Sequence, residues 1–221
     1  MIKPPESINI LQNRATLLAG KTVAEIASMQ GKSIPENLVQ AKGWMGEVLE
    51  SALGASAGNK AQPDFVNLGI ELKTLPINRQ GKPLESTYVT TLPLTIRRTI
   101  TWRESEVYAK LKHVLWIPII SERNMPVCER VIANPFLWQL PTEDEAILAT
   151  DWQEIIDMVA LGQITQLSGR FGVYLHVRPK AAHSRCLTDA FDNEGNLVQT
   201  LPRGFYLRAQ FTQKILHQVF Q

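Results

Sequence analysis

Residues 8–18 place apolar side chains at helical spacing, and just beyond them Thr22 stands three positions ahead of Glu25, at the front of Val23, Ile26 and Ala27. The second arrangement is a capping box, in which a hydroxyl and a carboxylate each satisfy a backbone N–H that the first helical turn leaves open. Two short helices are predicted. A third is predicted from Pro35, suited to a first turn, through an apolar face of Leu38, Val39, Val48, Leu49 and Ala52, to a stop at Gly54. The period then changes: residues 70–75, 87–92, 114–120 and 173–177 are short β-branched or aromatic runs between turn residues, and predict strands. Residues 151–161 return to helix and stop at Gly162, and Thr212 is placed to cap a last helix reaching Phe220. The layout is a mixed α/β fold, a central mixed sheet flanked by helices. Without internal repeats or long linkers, residues 1–221 are expected to form one domain, with two lobes around a cleft.

Composition narrows the class. With 44% hydrophobic and 20% charged residues the chain is an ordinary globular one, not a disordered or disulfide-scaffold protein. Its longest apolar run, 114–120, is far short of the roughly 20 residues of a membrane span. The start has no apolar leader segment, and Cys128 and Cys186 form no CxxC pair, so a reducing cytoplasm is expected, with both thiols free and packed as core residues. Residues 131–160 hold six acidic side chains and no basic one, which leaves the rest of a +2 chain strongly positive. That remainder suits a basic surface for a polyanion as well as it suits scattered solvated charge. The acidic block, with Trp138 and Trp152, is a protein-binding face or a solvated helix, the second being favoured.

Much chemistry is excluded by spacing. The four histidines lack HxxxH partners, so a zinc site is not expected. Residues 54–60 lack the Gly-Lys-Ser/Thr end of a phosphate loop, and there is no GxSxG elbow for acyl transfer. What remains is Asp64 followed by Glu71-Leu-Lys73. If 70–73 is a strand, Ile70 and Leu72 face the core and Glu71 and Lys73 share the other face. On a continuous strand Asp64 would lie about 23 Å from Glu71 and on the wrong side. Asn67-Leu68-Gly69 offers a turn, so the chain is expected to reverse there and bring the two carboxylates together. Converging carboxylates suit a hard cation such as Mg²⁺, and an adjacent ammonium can stabilise charge on a phosphoryl oxygen. The competing reading is a surface Glu71–Lys73 ion pair, worth under about 1 kcal/mol.

In order along the chain, Lys42-Gly-Trp-Met-Gly-Glu-Val-Leu-Glu50, Leu53-Gly-Ala-Ser-Ala-Gly58, Asp64 with Gly69-Ile-Glu-Leu-Lys-Thr74, Lys110-Leu-Lys-His-Val-Leu-Trp-Ile-Pro118, Arg178-Pro-Lys180 and Leu201-Pro-Arg-Gly-Phe-Tyr206 resemble the MutH family, strand-nicking endonucleases of methyl-directed DNA mismatch repair. The resemblance covers nearly the whole chain and is weakest in the first thirty residues and around 121–145. It implies a restriction-endonuclease-like core with a D…ExK site, in which Glu50, Asp64 and Glu71 hold Mg²⁺, Lys73 is the catalytic lysine and Lys110 supports the scissile phosphate. Spacing alone does not choose Glu50 over Glu47, one turn earlier. Lys42 is expected to contact DNA phosphate. By the same resemblance Arg178, Pro179 and Lys180 form a loop that meets GATC base edges, and Tyr206 lies against the adenine whose methylation is sensed. Without the resemblance Tyr206 is more simply a packing tyrosine. Arg203 and Arg208 are expected as phosphate contacts or solvated charge. The implied partners are double-stranded DNA with hemimethylated GATC and the repair ATPase MutL, with MutS upstream; no membrane and no second copy of the chain is expected. A sequence-specific DNA-binding module with no catalytic use for its acids is the alternative.

Overall fold

The computed structural model describes residues 2–35, 43–58, 62–96, 100–122, 124–181 and 183–220. Its elements run α1 (Ile8–Thr16), α2 (Val23–Met29), α3 (Trp44–Leu53), β1 (Glu71–Ile77), β2 (Thr87–Thr91), α4 (Glu106–Leu111), β3 (His113–Ile120), β4 (Val131–Ile132), β5 (Phe136–Gln139), α5 (Thr142–Ala160), β6 (Leu175–Pro179), β7 (Thr188–Phe191), β8 (Leu197–Thr200), β9 (Arg203–Leu207) and α6 (Ala209–Phe220). Two compact units emerge, one of residues 1–84, 112–139 and 216–221, the other of 85–111 and 140–215. Among the described residues no helix is long and apolar enough to cross a membrane.

The first unit holds a mixed sheet. β1 runs parallel to β3, and β3 pairs antiparallel with both β4 and β5. β3 is buried along almost its whole length, as its unbroken apolar run demands. Leu11, Ala15, Val23, Ile26, Val48 and Leu49 from α1–α3 close over Ile70, Leu72, Leu115, Ile117 and Ile119 on one sheet face. The Thr22 capping box is present, Thr22 Oγ1 accepting from the Glu25 N–H at 3.1 Å while Glu25 Oε2 accepts from the Thr22 N–H at 2.7 Å. The second unit has an antiparallel sheet in the order β2-β9-β6 and a β7–β8 hairpin.

Several expectations are corrected. The third helix starts at Trp44, with Pro35 outside it; Leu38 and Val39 lie outside the described residues. The helix predicted from 151 begins at Thr142, because Glu143, Asp144 and Glu145 are acids placed where the helix dipole favours them. Its outer face is solvated, with Glu143, Glu154 and Asp157 exposed, but Asp144 and Asp151 are buried, as are Trp138 and Trp152. The last helix starts at Ala209, since the Arg208 carbonyl accepts from the Phe211 and Thr212 N–H groups and the Thr212 hydroxyl bonds back to Ala209 instead of capping. Val173 is not in a strand, its N–H being taken by the Asp151 carboxylate. Cys128 and Cys186 are half-buried free thiols, not core residues, and Cys186 Sγ lies 3.3 Å from His183 Nε2. β4, β5, β7, β8 and β9 were not predicted.

Candidate active site and nucleic-acid interface

In the first unit the chain reverses between Asp64 and Glu71. Leu68 N–H donates to the Phe65 carbonyl at 3.0 Å, Phe65 and Ile70 form an antiparallel bridge, and Gly69 takes φ 65°, a left-handed value that costs glycine nothing. Asp64 is fixed at both ends. Its carbonyl accepts from the Ser56 N–H at 2.9 Å, tying it to the segment after α3, and its Oδ2 accepts from the Leu72 N–H at 2.8 Å. The carboxylate therefore lies against β1 one residue from Glu71.

Glu71 and Lys73 point to the sheet face opposite Ile70 and Leu72, as strand alternation requires. That face is closed as well: their side chains are each 5% exposed, and Lys73 Nζ donates to Glu71 Oε1 at 3.3 Å. The surface ion pair is thus excluded, and the pair is a buried one beside a second carboxylate. Glu50 sits on α3, half-buried, in a surface pocket shared with exposed Glu47 and with Ser51. Among the described residues no three His, Cys, Asp or Glu side chains are gathered as a metal-ligand group. The two carboxylates held at β1, those of Asp64 and Glu71, are hard oxygen donors with an ammonium beside Glu71, a set that fits a hard divalent cation better than a soft one.

The second unit carries the other candidates. Lys110 lies in the last turn of α4. Arg178 and Pro179 are not in a loop: they end strand β6, opposite Gly204 and Arg203 of β9, and the Lys180 N–H continues the ladder to the Pro202 carbonyl at 2.8 Å. All three are exposed. Tyr206, half-buried on β9, stands between His176 of β6 and Tyr88 of β2 in the cross-strand register. Its ring meets Tyr88 edge-on at 5.3 Å, the Arg178 guanidinium lies 5.8 Å from its centre, and Lys180 Nζ lies 3.0 Å from the centre of Tyr88. Burial, aided by Tyr88 and against the pull of Arg178, raises the Tyr206 phenol above its usual range and keeps it protonated. Burial, together with Arg208 and Arg178, lowers His176 to about 4, so its imidazole is neutral near pH 7.

Two exposed cations over an aromatic pair form a surface that can donate to the acceptor atoms of base edges while rigid rings limit what fits beside them. Tyr88 was missed from the sequence; its signal was an aromatic in a predicted strand. Arg203 and Arg208, both half-buried, are bonded to backbone: Arg203 donates to the Leu167 carbonyl, and Arg208 donates to three backbone carbonyls. Lys42 lies outside the described residues.

The model of the family described as DNA mismatch repair enzyme MutH matches residues 53–151. A DNA mismatch repair protein MutH of Shewanella oneidensis is 47% identical over 219 residues, covering 99% of this chain and 98% of its own. One of Vibrio campbellii is 49% identical over 216 residues, 97% of this chain and 96% of its own. A match of that closeness along both full chains is more than a shared fold, and this chain belongs to the MutH family of DNA mismatch repair enzymes.

Proposed function

We propose that the chain is a Mg²⁺-dependent endonuclease that nicks the unmethylated strand at hemimethylated GATC sites, in the cytoplasm, under the control of MutL and, upstream, MutS. The observation that carries this reading is the buried Glu71–Lys73 pair with the Asp64 carboxylate held one residue away. Burying an acid and a base costs stability unless they are used or tightly satisfied, and phosphodiester hydrolysis uses both. Asp64 and Glu71, with Glu50, would hold Mg²⁺. Bound there, the ion supplies Lewis-acid stabilisation of charge on the phosphoryl oxygens.

Lys73 contributes a fixed positive charge beside the reacting phosphate, where it holds the attacking water and favours its deprotonated form. Its own proton-bearing nitrogen is kept in place by Glu71, so little reorganisation is needed during reaction. Lys110 neutralises the scissile phosphate. Arg178 and Lys180 donate to GATC base edges from the end of β6, Pro179 keeps that end extended, Lys42 contacts phosphate, and the Tyr206 ring lies against the adenine that carries or lacks the methyl group.

The test is nicking of plasmids with GATC in unmethylated, hemimethylated and fully methylated form, with Mg²⁺ or with chelator, and with or without MutL. Nicking confined to unmethylated strands and dependent on Mg²⁺ is expected. Asp64→Ala, Glu71→Ala and Lys73→Ala should each abolish it while specific DNA binding stays within several-fold. Specific binding with no Mg²⁺-dependent nicking would identify a non-catalytic binding module instead.

A further inference from the structure

Asp151 and Arg208 belong to none of the groups assigned above, yet together they hold one short stretch of backbone from both sides. Asp151 is 3% exposed on α5, and its Oδ1 accepts from the Val173 N–H at 2.7 Å while its Oδ2 accepts from those of Tyr174 at 2.7 Å and Leu175 at 2.8 Å. Arg208 supplies the opposite half. Its Nη2 donates to the carbonyls of Gly169 at 2.6 Å and Phe171 at 2.9 Å, its Nε to that of Gly172 at 3.1 Å, and its backbone N–H to that of Tyr174 at 2.8 Å. The N–H groups of residues 173–175 thus go to an anion, and the carbonyls of Gly169, Phe171 and Gly172 to a cation. Gly172, at φ +75°, makes the turn possible: a Cβ there would stand 1.8 Å from the Leu175 oxygen and 3.2 Å from Asp151 Cγ.

The position of this clamp matters more than its strength. Leu175 is the first residue of β6, and Arg178 lies three residues on, about 10 Å along a stiff strand. Leu175 also pairs with Leu207, which lies between Tyr206 and Arg208. Holding residues 173–175 therefore fixes the register that sets Arg178 opposite Gly204 and His176 opposite Tyr206. A slip of one residue would turn Arg178 to the other face of the sheet. Apolar packing between α5 and β6 is non-directional and would not specify register, whereas three N–H bonds to one carboxylate do.

We propose that Asp151, with Arg208, is a positioning residue for base recognition: it sets the register of β6 so that Arg178 and Lys180 meet the base edges, and it governs specificity without touching DNA. The proposal rests on the reading of Arg178 and Lys180 as GATC contacts.

The experiment compares full-length wild type, Asp151→Asn, Arg208→Lys and Arg178→Ala, each at a temperature where circular dichroism shows it folded. Steady-state nicking with Mg²⁺ is measured on hemimethylated GATC duplex and on the same duplex with one base pair of the site altered. Asp151→Asn keeps shape but sets an amide N–H against a backbone N–H. It should raise KM for GATC about tenfold, leave kcat within a few-fold, and lower the GATC-to-altered-site ratio of kcat/KM about tenfold, the size of one lost base contact. Arg208→Lys should act in the same direction, and decides the matter if Asp151→Asn does not fold. If both substrates lose kcat equally in folded variants, with KM and the site ratio unchanged, the role is structural only and the proposal is overturned. If Arg178→Ala loses discrimination while the folded clamp variants keep it, the clamp inference alone fails. If Arg178→Ala keeps full discrimination, the reading of the β6 end fails and the clamp proposal with it.

Discussion

Replacing Lys73 with Met removes an ammonium but keeps most of the side-chain volume, so the electrostatic consequence can be seen almost alone. It leaves Glu71, at 5% side-chain exposure, without the cation 3.3 Å away, and with the Asp64 carboxylate against the next residue of the strand. Breaking a buried pair on one side costs about 3–5 kcal/mol, against under about 1 kcal/mol for a surface pair. For a protein whose whole stability is of order 5–15 kcal/mol this is a large fraction, and at about 2–4 °C per kcal/mol it lowers the melting temperature by roughly 6–20 °C. Removing the remaining charge should reverse the effect: Glu71→Met/Lys73→Met is expected to recover most of the loss, because an apolar pair of similar volume needs no compensation. Both variants should be inactive in nicking. Urea unfolding followed by tryptophan fluorescence measures the stabilities. A loss under about 1 kcal/mol in the single variant, or a double variant no more stable than the single, would refute the claim that the pair is electrostatically isolated from water.

Three further outcomes are expected. Because His176 is lowered to about 4 from 6.5, the unfolded chain takes up a proton between those values that the native protein does not; stability is full above about pH 6.5, falls as pH drops towards 4, and then changes no further from this group. His176→Gln should flatten that limb of a stability–pH curve, and an unchanged slope sinks the assignment. Tyr206→Ser should narrow the rate gap between unmodified and fully methylated GATC in single-turnover nicking, since a methyl on the adenine amine projects into the major groove; a wild-type ratio would place the sensor elsewhere. DNA affinity should fall steeply with salt, each neutralised phosphate adding roughly 0.9 to the log–log slope, and a flat response would rule out a basic DNA surface.

Local signals in the sequence carried the elements that depend on near neighbours. Thr22 and Glu25 specify a capping box because both partners lie within one turn. Asn67-Leu68-Gly69 specifies a reversal because a left-handed residue is provided where the chain must turn, and the strand period of 70–73 separates Ile70 and Leu72 from Glu71 and Lys73. The ordered motifs from Lys42 to Tyr206 carried the family. The buried acids of α5 run against the expectation of a solvated helix starting at 151: Asp144, Leu148, Asp151 and Ile155 share one helical face only because the helix begins at Thr142.

Only the tertiary structure decided what covers each face. Strand alternation puts Glu71 and Lys73 on the same side but is silent on whether that side is wet; both are buried, and their cross-strand neighbours, Val114 and Trp116 of β3, are 43 residues further along the chain. The family resemblance put Arg178 and Pro179 in a loop, yet they lie in a strand that is made by pairing with Gly204 and Arg203. The bonds of Arg208 to the carbonyls of Gly169, Phe171 and Gly172, and of Asp151 to the N–H groups of 173–175, likewise depend on segments distant in the chain. Periodicity fixes the direction of a side chain relative to its own backbone, whereas its partners, and with them its charge state and use, are set by contacts that no local pattern encodes.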